Sequence, residues 1–235
     1  VYSLETERII WQYMENEPRI QYIKMEENLG ISGNSNRALQ AAKGAYVALL
    51  DHDDVLTEDA LYWVVDALQR ERYDVVYSDE DRMAENGSHY LEPRFKPEFD
   101  IDLLRAYNYI SHLFVARREL MLADGGFHSQ YDGAQGYDMI LRCCEGNREI
   151  CHIPRVLYHK RIHDGTSSER EAKHAQENLA GKEALEAHVS REHLLARVMM
   201  TDQRSVYTVK YDTPGNPLVS MIITCLLYTS DAADE

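Results

Sequence analysis

Ala45-Tyr46-Val47-Ala48-Leu49-Leu50 is a continuous apolar run that stops abruptly on Asp51-His52-Asp53-Asp54. A short run without polar alternation reads as a strand buried on both faces. Upstream, Asn28-Leu29-Gly30-Ile31-Ser32-Gly33-Asn34-Ser35-Asn36 is rich in glycine, amide and hydroxyl groups, and reads as a loop. It leads into a short alanine-rich helix over residues 37–43, with Gly44 at its C′ position. Downstream, Thr57 is the expected cap of a helix whose Leu61, Val64, Val65 and Leu68 recur at i, i+3, i+4, i+7. Residues 74–78 then read as another strand, ending in Asp79-Glu80-Asp81. This strand–helix–strand alternation predicts a doubly wound α/β layer.

Farther out the pattern is less regular. Residues 4–16 read as a helix and 19–25 as a short strand, whereas 94–102, with Pro97, read as a loop. Strand over 111–116, helix over 118–123 and helix over 137–145 follow. Two short strands, 150–153 and 156–159, flank Pro154, and 163–168 form a loop. A long helix over 172–189, with Ala175, Leu179 and Leu185 along one side, precedes a last strand over 204–211. Pro217 to Thr224 reads as a buried strand opening a new unit after the linker 213–217. The tail Cys225–Glu235 resembles translated read-through of a sequencing-library adapter and is set aside from fold reasoning.

The chain has 235 residues, of which 44% are hydrophobic and 28% charged, the composition of a globular protein with a core of its own. Acids outnumber bases 40 to 25, for a net charge of −15. That balance argues against a nucleic-acid partner, because phosphate contact needs a basic surface. No apolar stretch is long enough to span a bilayer. Cys143, Cys144, Cys151 and Cys225 show neither metal spacing nor disulfide density, and read as the reduced thiols of a cytoplasmic protein.

Carboxylates at the C-terminal end of a buried strand mark the ligand edge of an open α/β sheet. Their charge is compensated if a divalent cation, Mg2+ or Mn2+, takes one or two of their oxygens and fills its other positions with water and diphosphate oxygens. Asp51, Asp53 and Asp54 are the candidates; a helix N-terminus would favour the same residues. Gly30, Gly33, Asn34 and Asn36 would let backbone and amide donors approach a ligand, and Arg37 supplies a cation suited to phosphate.

The stretch ENLGISGNSNRALQAAKGAYVALLDHDD resembles the nucleotide-sugar half of the family 2 glycosyltransferases, which have the GT-A fold. DVVYSDEDR, RFKPEFDIDLLRAYNYISHLFVARREL, GGFHSQYDGAQGYDMILRC and HIPRVLYHKRIHDGTSS resemble, in order, the acceptor half of the bacterial rhamnosyltransferase-like branch. The resemblance is close over about residues 20–168 and looser up to Thr224. It implies a GT-A-type doubly wound mixed sheet flanked by helices, lacking its N-terminal strand, over residues 1–168. A helical extension with the last strand follows over 169–212. TPGNPLVSMIIT, over 213–224, resembles the linker and first strand of a second such domain.

The resemblance also implies roles. Asp51 and Asp53 match the family's Asp-x-Asp element, with Asp53 the first choice for the metal and Asp54 beside it. His163, or else His159, matches the histidine that closes over metal and diphosphate. Asp79, Glu80 and Asp81 would flank the acceptor, or else form a solvated turn. One departure matters: alignment on DMILR places Gln135-Gly136 where the family carries its general base, so the base position is Gly136. Asp138 is the nearest carboxylate and Asp132 the next.

The implied activity is metal-dependent, inverting transfer of a sugar, with rhamnose suggested by the branch, from a nucleoside diphosphate sugar to a hydroxyl of a cell-surface glycan or lipid-linked glycan. Peripheral contact at the inner face of the membrane goes with such an acceptor. Two alternatives stand beside it. One is a GT-A-like binding module without catalysis. The other is a haloacid-dehalogenase-type phosphohydrolase with Asp51 as nucleophile and Asp53 as acid/base.

Overall fold

β3 (Val75–Met83) is the axis of the molecule, because Val75, Val76 and Tyr77 are buried and their side chains alternate between two apolar layers. The protein, seen in a computed structural model, is described over residues 4–162 and 168–223. β3 pairs in parallel with β6 (Ile150–Arg161) along its whole length. Its other edge is shared: β5 (Phe114–Arg117) lies antiparallel to the first half and β4 (Tyr90–Arg94) to the second. β1 (Tyr46–Leu49) and β2 (Val55–Leu56) close the two edges, giving the order β1-β5-β3-β6-β2. The result is a mixed sheet with helices on both faces.

On one face, Ala60, Val64 and Ala67 of α3 (Ala60–Arg70) pack against Val76, Val115, Leu157 and Tyr158. On the other, Tyr77 and Phe114 pack with Leu104 of α4 (Ile101–Ala106), Met121 of α5 (Arg118–Leu122), Met139 and Ile140 of α6 (Gln135–Cys143) and Leu185 of α7 (Ser168–Arg191). A hairpin of β7 (Ala196–Met200) and β8 (Tyr207–Tyr211) joins that layer through Val198 and Tyr207. The helical extension is thus tied into the core, and buried polar contacts secure it: His188 accepts from Arg105 and bonds Glu145, which also holds Arg191.

Several expectations are corrected. The Gly/Asn/Ser stretch is not a loop: α2 runs Gly30–Ala41. Its weak intrinsic propensity is overridden by tertiary ties, namely Asn36 to both backbone groups of Phe127 and Ser32 to Asp132. Gly30 starts it with φ +74° while Asn28 Oδ1 accepts from the Gly30 N–H. β1 is an edge strand with Ala48 exposed, since among the described residues β5 is its one partner. In α3 the buried line is turned by one position, so Leu61 and Val65 are exposed; Ala60 and Ala67 allow close approach to the sheet. Thr57 does not cap that helix through its side chain; its carbonyl accepts from Ala60 N–H, and Asp59 occupies the cap position.

Pro154 does not split a strand. The β3–β6 register steps from Ser78↔Ile153 to Asp79↔Val156, so Pro154 and Arg155 sit in a bulge inside one long β6. α7 buries Ala180, Ala184, Leu185 and Val189, whereas Leu179 and Ala175 face solvent. Residues 94–102, expected as loop, hold the end of β4 and the start of α4. The strands expected over 19–25 and 217–224 do not form over the described residues, because no described strand neighbours them to satisfy their backbone; Leu218, Val219, Met221, Ile222 and Ile223 are exposed. The expected loop 163–167 and the tail after Ile223 lie outside the described residues. Among the described residues no helix is long and apolar enough to cross a membrane.

Candidate active site

The acidic turn after β1 crosses from one edge of the sheet to the other, since β1 and β2 are the two edge strands. In crossing, it passes the residues that lead into β5. The antiparallel register Leu49↔Phe114, continued past both strand ends, sets Asp51 opposite His112. Ligand atoms of Asp51, Asp54 and His112 all lie within 4.8 Å of one another.

Each member is held from below. Tyr158 Oη accepts from the Asp51 N–H at 3.2 Å and donates to Asp54 Oδ2 at 2.6 Å. The Arg161 N–H donates to Asp54 Oδ1 at 2.8 Å, and its Nε donates to the Asp53 carbonyl at 2.7 Å. His112 Nε2 faces Asp51 Oδ2 at 3.7 Å, while its Nδ1 lies 3.2 Å from Glu80 Oε2 and 2.9 Å from Ser111 Oγ. Lys96 Nζ reaches Glu80 Oε2 at 3.1 Å and also donates to the His112 carbonyl.

Charge follows this geometry. The His112 imidazole facing it holds Asp51 below the usual carboxylate range, against partial burial. Burial alone would raise Glu80, but the His112 hydrogen bond and the Lys96 charge overcome it and hold it at about 2. Burial pulls Lys96 down. Burial would also lower His112, yet Asp51 and Glu80 together raise it.

The donor set fits a hard divalent cation: two carboxylates, one of them 64% exposed, and an imidazole nitrogen backed by a carboxylate. An Nδ1–H shared with Glu80 or Ser111 would leave Nε2 free to ligate, the usual outer-shell arrangement of a metal-bound histidine. His112 is the site residue that sequence reading missed; Glu80, expected beside the acceptor, is instead its hydrogen-bond partner. The signal exists in the β1–β5 register, which becomes visible only once the strands are paired.

A cavity of about 650 Å3 opens beside the cluster. Asp51, His52, His112 and Lys160 line one side; Gln135, Gly136 and Tyr137 at the start of α6 line another. From α2, Ile31 and Ser35 face it.

The family 2 glycosyltransferase model, "Glycosyl transferase family 2", matches residues 3–122. The chain belongs to glycosyl transferase family 2. It is 39% identical over 223 residues to the uncharacterized protein y4gI of Sinorhizobium fredii, covering 93% of this chain and 24% of that one. It is 35% identical over 218 residues to the O-antigen biosynthesis protein RfbC of Myxococcus xanthus, covering 92% of this chain and 17% of that one. It thus spans a quarter or less of these two relatives. Among solved structures it is similar to S. aureus TarS residues 1–349, with TM-score 0.56 and 17% identity, covering 82% of this chain and 60% of that one. That likeness is one of fold, and with the mixed sheet and its flanking helices it gives the GT-A fold. The phosphohydrolase alternative is replaced by this family membership.

The other expected site residues of this family 2 domain fall in different places. Asp53 lies outside the Asp51–Asp54–His112 group; its carboxylate is 3.7 Å from His52. Gly33, Asn34 and Arg37 sit within α2, and Asn34 and Arg37 line a separate cavity formed with residues 21–28. Asn36 straps α2 to Phe127 under Gly126, where a Cβ would meet its Oδ1 at 2.3 Å. The acidic triplet is no solvated turn: all three are buried in β3. Asp79 accepts from His152 and from the Lys96 backbone, Asp81 bonds His159, and Glu80 reaches His112. His159 also stacks on Tyr90 at 4.0 Å, and His163 lies outside the described residues.

Neither carboxylate weighed as base faces the cavity. Asp132 accepts from Ser32 Oγ at the start of α2. Asp138 is wholly buried; its Oδ2 takes Arg142 Nε at 3.0 Å and Nη2 at 2.9 Å, with His128 Nδ1 at 3.1 Å. Asp138→Ala would leave the buried Arg142 charge unpaired, and a loss of about 3–5 kcal/mol of unfolding free energy is expected in denaturant titration. A variant as stable as the wild type but without turnover would instead give Asp138 a chemical role.

Proposed function

We propose that this domain moves a sugar from a nucleoside diphosphate donor to a glycan hydroxyl, with inversion at the anomeric carbon and dependence on a divalent metal. The observation that carries it is the convergence of Asp51, Asp54 and His112 at the C-terminal end of β1, beside a cavity, in a family 2 chain. When bound there, a divalent cation would supply positive charge to a departing diphosphate. The chain's own groups do the rest. Tyr158 and Arg161 fix the acidic turn, Glu80 and Lys96 orient His112, and Lys160 adds a cation to the cavity wall.

Support for the donor and acceptor classes comes from similar proteins. TarS has been solved with UDP-GlcNAc (TM-score 0.56, 16% identity), and a 25%-identical relative is the chondroitin synthase of Escherichia coli. The rhamnose donor, the placement at the inner membrane face and a second transferase domain after residue 212 are parts of the reading that rest on sequence resemblance. An assay of nucleoside diphosphate release from a panel of nucleotide sugars, with Mn2+ and with chelator, tests it. Release that needs both metal and a glycan acceptor supports transfer; metal-independent release contradicts it.

A second reading is favoured by one observation. Residue 136, where the base is expected, is glycine, and Asp51 and Glu177 are the carboxylates lining that cavity among the described residues. Glu177 is engaged by Arg204 at 2.8 Å and by His174 at 3.1 Å. On this reading the domain binds donor and glycan but transfers slowly or not at all.

A further inference from the structure

A second cavity, of about 830 Å3, adjoins the first; Asn108, Ser111, His112 and Lys160 line both. Neither Asp51 nor Asp54 lines it. Its wall carries Arg82, Arg94, Lys96, Lys160 and Arg161, and Glu80 is the one carboxylate among its described lining residues. In a chain of net charge −15 this concentration of cations runs against the overall balance.

The internal partners do not cancel it. Glu80 is taken up by Lys96 and His112, and Arg94 reaches it only at 3.8 Å. Arg161 spends its donors on the neutral carbonyls of Asp53 and Glu85, so its charge persists. Arg82 pairs with Glu92 on a largely exposed salt bridge, which neutralises little in water. Lys160 is exposed, with no ion pair among the described residues. Gathered like charges repel unless a ligand of opposite sign completes the set. The same cavity presents Phe95, 75% exposed, and Tyr107, 39% exposed, as flat apolar surfaces beside the cations.

From this pairing of cations with open aromatic faces, next to but separate from the Asp51 cluster, we infer that the cavity binds an anionic glycan: a sugar ring against Phe95 and Tyr107, its carboxylate or phosphate on the arginines and lysines. The inference deepens the transferase reading by naming the acceptor's charge, and it rests on that reading for calling the glycan an acceptor.

The test measures binding without donor, by fluorescence anisotropy of three labelled probes on the full chain. One is a non-sulfated oligosaccharide of alternating hexuronate and N-acetylhexosamine, the second its carboxyl-reduced neutral form, the third a glycerol-phosphate oligomer. At least one anionic probe should bind about tenfold or more tighter than the neutral one, and weaken as salt is raised. Arg82→Gln with Arg94→Gln, both part-exposed, should cost about tenfold or more in that affinity, whereas Arg197→Gln, an exposed cation that lines neither cavity, should keep it. The probe that binds tells carboxylate from phosphate. Equal affinity for the neutral probe, no binding of either anionic probe, or a double variant that binds like wild type would each overturn the inference. Charge-dependent binding that persists where nucleoside diphosphate release fails removes the transferase reading alone.

Discussion

Gly136→Asp is expected to raise the rate of sugar transfer by about 100-fold or more, the usual worth of a positioned general base. The acceptor hydroxyl must lose its proton as it attacks, and on the slow-transfer reading the glycine at residue 136, where the family resemblance places the general base, offers no group to take it. Gly136 lines the cavity with Asp51, in the first turn of α6. A Cβ built there meets nothing within 4 Å, and its φ is not one that a side chain avoids. A carboxylate at a helix N-terminus is favoured by the backbone dipole, so the fold should tolerate the change. Initial rates of nucleoside diphosphate release, wild type against variant, with a saturating glycan acceptor, give the answer. If the variant binds donor normally and its rate does not rise, residue 136 is not the base position and the slow-transferase explanation fails.

The second large effect is a loss. Asp51→Asn keeps the shape of the side chain and removes its charge from the cluster with Asp54 and His112. Turnover should fall by about 100-fold or more, because charge aimed at the leaving diphosphate is worth several kcal/mol in the transition state. Stability should barely change, by about 0.5 kcal/mol or less, since Asp51 is 64% exposed and its side chain is not part of the core. Asp138→Ala should behave in the opposite way. One variant should lose chemistry and keep the fold; the other should lose the fold first. Thermal melts read beside kinetics separate them.

The architecture was legible where periodicity and burial agree. The run ending at Leu50 and the strand at Val75 carry enough β-branched and apolar residues to declare themselves, and α3 and α7 were placed to within a few residues. The errors have physical causes. α2 reads as a loop because glycine, asparagine and serine have poor helix propensity, while the bonds that overrule it reach Phe127 and Asp132, far away in sequence. β1 looked doubly buried because an apolar run does not reveal how many neighbours a strand has. β6 looked like two strands because a bulge that accommodates Pro154 depends on the partner strand.

The site divides in the same way. Asp51 and Asp54 could be read locally, as acids at a strand end. His112 could not, because its place opposite Asp51 comes from the β1–β5 register, and Glu80 becomes its partner only through the β3–β5 pairing. Asp138, near in sequence to the expected base, points into the α6 packing with Arg142, a direction that helical phase and burial determine.

Asp51, with Asp54 and His112, is proposed to hold a metal that in turn helps hold a nucleoside diphosphate. Calorimetric titration of UDP, GDP and dTDP into the chain, with Mn2+ and then with excess chelator, tests it directly. At least one nucleotide should bind with Mn2+, lose about tenfold or more in affinity on chelation, and lose as much in Asp51→Asn. Binding that is indifferent both to chelator and to Asp51→Asn would contradict the claim.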